Sequence, residues 1–182
     1  MKTALLSVLL LFLGFGLFAQ DTEEKVPRFV KVAVGASGTY TYVPNDEEFV
    51  ADLSYSPDSS AVYTGEVLSG NYRFAVIVVK LNGTELVNQQ EREEMLVSYM
   101  DYLQETFNIV GAAGYGKGHT LEMYPEATGM IDYWEDADGD EWAVKGWADA
   151  HTLAVLMLYG TGTYPYYNVQ DMFLNGFRFD GE

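Results

Sequence analysis

TGMIDYWEDADGDEWAVKGWA, residues 128–148, reads as two strands folded back on one another. Thr128 to Glu135 and Glu141 to Ala148 are rich in β-branched and aromatic residues, and Asp138-Gly139 between them is a strong hairpin signal, because glycine takes a positive φ without steric cost. A two-residue turn at Asp138-Gly139 predicts a register that pairs Trp134 with Ala143, Asp132 with Lys145 and Met130 with Trp147, all on one face. Trp134, Met130 and Trp147, with Tyr164, Tyr166 and Tyr167 nearby, then form either an exposed aromatic platform for a partner or a sugar ring, or a core face under a helix. The usual burial of aromatic residues favours the core face. On the platform reading, the binding residues are Trp134, Trp147, Tyr164 and Tyr166.

Working outward, the same alternation recurs. Phe29 to Val34, Thr39 to Val43, Phe49 to Tyr55, Ala61 to Leu68 and Tyr72 to Leu81 read as strands or extended segments separated by Gly, Pro, Asn and Asp turns. Phe74-Ala75-Val76-Ile77-Val78-Val79 has the composition of a buried strand. Asn88 and Glu91 stand at capping-box spacing, and Leu96, Met100, Leu103 and Phe107 follow at three- to four-residue intervals, which predicts the longest helix of the chain. Thr120 to Tyr124 and Leu153 to Tyr159 add strands, and Asn168 caps a short last helix through Val169, Met172 and Phe173, stopped by Gly176. Strands joined by tight turns pair antiparallel, so the expected fold class is α+β: a mostly antiparallel sheet packed by one long and one short helix.

The ends and the composition place the protein. Lys2, the apolar run Ala4 to Phe18 and the small residue in Phe18-Ala19-Gln20 have the order of a cleavable secretory signal, with the mature chain starting at Gln20 or Asp21. The apolar run is shorter than the ~20 residues a spanning helix needs, and no later segment is apolar enough to span a membrane. Removing the first 20 of 182 residues leaves 162, enough for a single α+β domain over 21–182. There is no cysteine, which at this size fits a bacterial secreted or periplasmic protein. Ten basic and 27 acidic residues give a formal charge of −17, a surface that repels phosphate backbones and argues against nucleic-acid binding.

Candidate chemistry is sparse. Gly111 to Gly118 approaches a phosphate-binding loop, but Gly118 takes the hydroxyl position and a strand pattern follows where a helix is needed. Asp136, Asp138 and Asp140 have the D-x-D-x-D start of a calcium loop; the sixth position is Glu141 and the twelfth Trp147, so no cofactor is expected beyond weakly bound calcium. His119 and His151 are the only histidines. No serine elbow accompanies them, so no catalytic residue is assigned. A carboxylate-based hydrolase acting on carbohydrate or another substrate, using Asp132 and Asp149 beside the tryptophans, is the alternative to a non-enzymatic binding module with a protein or glycan partner.

From the long helix onward, the order of helix, Gly-rich strand entry at Gly111 to Gly118, three antiparallel strands, short helix and the ending Phe173-Leu-x-x-Phe-Arg-Phe179 resembles the PsbP-like fold family. The resemblance covers the second half of the chain. It implies a sheet sandwiched by helices and, by analogy, a binding or assembly role. No residue used for docking by the photosystem members can be matched here.

Overall fold

The computed structural model describes residues 27–161 and 167–180. Among them β1 (Phe29–Ala33) and β2 (Tyr40–Pro44) form a separate antiparallel hairpin. The main sheet has eight strands in the order β3 (Ala51–Tyr55), β4 (Ala61–Ser69), β5 (Tyr72–Lys80), β10 (Thr152–Gly160), β9 (Glu141–Ala148), β8 (Tyr124–Asp136) and β6 (Ile109–Ala112), with β7 (Gly116–Leu121) also on β8. Every pairing is antiparallel. With α1 (Gln89–Thr106) and α2 (Tyr167–Leu174), the architecture is α+β.

The centre of the sheet is covered on both faces, which explains why β5 and β10 read as continuous apolar runs. Phe74 to Val79 and Leu153 to Leu158 are all buried. One face packs against α1 through Leu96, Met100 and Leu103. Gly146 lets the helix come close, since a Cβ there would stand 2.9 Å from Leu96 Cδ2. The other face carries the β1–β2 hairpin, α2 and the terminal Phe177 and Phe179. The Arg178 N–H donates to Tyr40 O at 2.8 Å and Tyr40 N–H donates back at 2.9 Å, tying the last residues to the hairpin.

The N-cap forms as expected, with Asn88 Oδ1 accepting from Glu91 N at 2.9 Å, but Glu91 reaches back one residue further than a capping box, its Oε2 accepting from Val87 N at 2.9 Å and its Oε1 from Asn88 Nδ2 at 2.9 Å. Such a cap contributes about 1 kcal/mol. The expected strand Thr120 to Tyr124 is corrected. Leu121 pairs with Tyr124 across a turn at Glu122-Met123, so that stretch is the end of β7 and the start of β8. Neither turn residue is Gly, Pro, Asn or Asp, and the usual punctuation is missing. No helix among the described residues is long and apolar enough to cross a membrane. The expected signal segment lies outside the described residues.

Candidate functional site

The β8–β9 hairpin carries Trp134, Trp147, Asp132 and the loop aspartates, and its register corrects the expectation. Gly139 N donates to Asp136 O at 3.1 Å and Asp136 N to Asp140 O at 3.2 Å, with Gly139 at φ +84°. The loop is therefore three residues long, a turn closed by a glycine bulge. Trp134 pairs with Trp142, Asp132 with Val144 and Met130 with Gly146. This shift by one residue sends Trp147 to the opposite face from Trp134. Trp134 is 3 % exposed on the α1 face, and Trp147 is fully buried on the α2 face, where its Nε1 donates to Leu174 O at 2.8 Å. No shared aromatic platform exists between them. Tyr164 and Tyr166 lie outside the described residues.

The three loop aspartates are not arranged as ligands. Asp136 Oδ1 accepts from the N–H groups of Asp138 and Asp140, each at 3.0 Å, and its Oδ2 from Trp142 Nε1 at 3.0 Å. Burial pushes the Asp136 carboxyl up, but these donors and the Gly139 N–H outweigh it and hold it below its ordinary value. Burial and the charges of Asp136 and Asp138 raise that of Asp140. Among the described residues no group of three or more His, Asp or Glu side chains is placed to hold a metal ion.

Asp132 and Asp149 are also engaged in building the fold. Asp149 Oδ1 accepts from His151 N at 2.7 Å and Thr152 N at 2.6 Å, closing the β9–β10 turn. Asp132 is 1 % exposed. Its Oδ1 accepts from Gly114 N and Tyr133 N, both at 2.8 Å, and its Oδ2 from Trp134 Nε1 at 2.7 Å and Gln104 Nε2 at 3.4 Å. The Gly-rich segment thus wraps a buried carboxyl with Gly114, at φ +95°, and presents no phosphate cradle. With Asp132 opposite Val144, Asp149 is five residues further along, about 17 Å at strand rise, too far for a shared acid–base pair.

On the α2 face, Lys145 is 2 % exposed, with its Nζ 2.9 Å from His119 Nδ1 and 4.8 Å from the centroid of the Trp147 ring. Burial pushes the lysine down to about 8, against a smaller opposing pull from Asp171. Burial and the Lys145 charge lower His119 as well. The unfolded chain therefore binds more protons than the folded one between about 8 and 10.5, and stability rises with pH across that window. Lys145→Met is expected to stabilise the protein by about 2 kcal/mol at pH 7. Urea unfolding should show that gain shrinking as the pH is raised to 10.

A cleft of about 720 Å³ opens at the end of this hairpin on the same face. It is lined by the Gly111–Ala113 run, by Tyr133, Trp134 and Glu135 of β8, by Glu141 and Trp142 of β9 and by Gln170 of α2. Tyr133 is 49 % exposed, and the small residues of the β6 side leave room beside it. Glu135 and Glu141 stand directly opposite in the β8–β9 ladder, both exposed. The sequence pattern does not single these residues out: Tyr133 alternates with Trp134 along the strand, and Glu135 and Glu141 fall at the strand ends beside the turn. The usable signal was the acid on each side of the loop. A comparison with known protein families and with curated proteins gives no match to this chain.

Proposed function

We propose that this chain is a secreted or periplasmic bacterial binding module, without catalytic activity of its own, that holds a glycan in the cleft between the Gly111–Ala113 run, the β8–β9 hairpin and α2. The observation that carries this reading is the facing pair Glu135 and Glu141 beside the exposed ring of Tyr133. Like charges directly opposite in a ladder destabilise it, so a pair that serves no structural purpose points to a ligand. Carboxylates accept strong hydrogen bonds from sugar hydroxyls, an aromatic face stacks on the ring, and the cleft has the volume of a small-ligand site. Export by the leader at residues 1–20 and the binding role implied by the PsbP-like resemblance, with its long and short helices on the sheet, agree with this. A hydrolase needs one carboxyl sequestered as the acid; both glutamates here are exposed, which favours holding over cleaving.

A glycan array probed with residues 21–182 tests the proposal. Binding is expected to weaken at least about tenfold in Tyr133→Ala and in Glu141→Gln, a loss of about 1.4 kcal/mol, with the unfolding midpoint unchanged. Binding that survives both substitutions, or release of sugar by the wild-type chain, contradicts it.

A further inference from the structure

The main sheet ends in two unlike edges. On the side of β6 and β7 the pairing with β8 shifts register between Ile109 and Gly111, between Lys117 and His119 and between His119 and Leu121. Bulges of this kind, with a lysine among them, are how natural sheets discourage an added strand. At the other end β3 pairs with β4 without a break from Ala51↔Gly65 to Tyr55↔Ala61. Among the described residues nothing pairs with its outer edge. It contains no proline, no lysine and no bulge.

The two faces of this edge differ in chemistry. Leu53 and Tyr55, 48 % and 67 % exposed, lie opposite Tyr63 and Ala61 on the face that carries the β1–β2 hairpin. Asp52 lies on the α1 face, opposite Thr64. There Asp52 and Glu66 rim a groove of about 470 Å³ with Ile77 and Met157 in its floor and Phe107 in its wall. The chain that builds this edge is acidic: no Lys or Arg occurs between Lys31 and Arg73, while Asp46, Glu47, Glu48, Asp52, Asp58 and Glu66 all do. Glu66 is already engaged, by its ion pair with Arg73 and by the Tyr159 hydroxyl, which donates to its Oε2 at 2.5 Å, so Asp52 is the rim carboxylate left open to a ligand.

We propose that β3 is a docking edge that accepts an extended cationic segment of a partner protein by strand addition. Side chains of an added strand alternate between the two faces, so Lys or Arg at every second position meets Asp52 and the groove, and apolar residues at the others cover Leu53 and Tyr55. The groove floor suits the methylene stems of those lysines, whose heads reach the acidic rim. A second copy of this chain fits worse, because it brings another −17 charge to an edge that lacks cations.

The test uses the acetylated, amidated heptapeptide Lys-Val-Lys-Val-Lys-Val-Lys and its counterpart with Glu for Lys, titrated into residues 21–182. The cationic peptide is expected to bind, to weaken as salt is raised, and to protect amides within Ala51–Tyr55 from hydrogen exchange. Asp52→Lys and Leu53→Lys, both at exposed positions, should each weaken binding at least about tenfold. Tyr133→Ala and Glu141→Gln should leave it unchanged, which separates this surface from the cleft. The proposal is overturned by absence of binding, by equal binding of the acidic peptide, or by protection confined to other strands. It is also overturned if sedimentation reveals a dimer that Leu53→Lys dissolves, since the edge would then be taken by a second copy.

Discussion

Alanine at position 129 is expected to leave little folded protein. Gly129 lies directly across from Trp147, and a Cβ there would stand 2.2 Å from Cζ3 and 2.5 Å from Cε3 of its ring. The ring has nowhere to go: it is fully buried, its Nε1 is bonded to Leu174 O, and the Lys145 ammonium sits over it. Overpacking by one methyl in a tight core costs about 1–3 kcal/mol, and here the displaced group also anchors α2, so a loss of about 4 kcal/mol is expected. That approaches the whole stability of many domains of this size. Urea unfolding of Gly129→Ala, with Gly111→Ala as the comparison, reads the effect. The nearest atom to a Cβ at Gly111 is Glu135 Cβ at 3.7 Å, so that variant should change stability by less than about 0.5 kcal/mol.

Asp132→Ala is expected to cost a similar amount by a different route. Its carboxyl is the shared acceptor for the Gly114 and Tyr133 amides, the Trp134 indole and the Gln104 amide, and it links β8 to the β6–β7 loop and to α1. Removing it strands several donors in a site closed to water, each at about 1–3 kcal/mol when left unpaired. A net loss of about 4 kcal/mol follows, with part recovered by Asp132→Asn, whose remaining oxygen still accepts. Near-ultraviolet circular dichroism should show the Trp134 signal collapsing in the alanine variant and largely retained in the asparagine one.

What could be read from the sequence was local. The helix cap at Asn88 and Glu91, the apolar stripe Leu96, Met100, Leu103, and the buried run Phe74 to Val79 each announce themselves within a few residues. The β8–β9 hairpin was legible too, because Asp138-Gly139 favours a turn whatever surrounds it. Its register was not. Whether Gly139 closes a two- or three-residue loop depends on the Asp136 carboxyl reaching the Asp138 and Asp140 amides, and that single choice exchanges the faces of Trp134 and Trp147. Sheet order lay equally out of reach, since β10 returns to pair with β5 from some seventy residues away, as in Thr152↔Lys80. Nothing local encodes that pairing. The candidate site suffered from the same slip: the displaced register pairs Asp132 with Lys145 on one face, when Asp132 is the buried acceptor of the α1 face and Lys145 lies on the other.

The most direct test of the proposed function is an amide-resolved NMR titration of residues 21–182 with the tightest glycan from the array. Shift changes are expected to gather at Gly111 to Ala113, Tyr133 to Glu135, Glu141 and Gln170, with β3 silent. Changes centred anywhere else on the sheet, or none at saturating sugar, would contradict the proposed function.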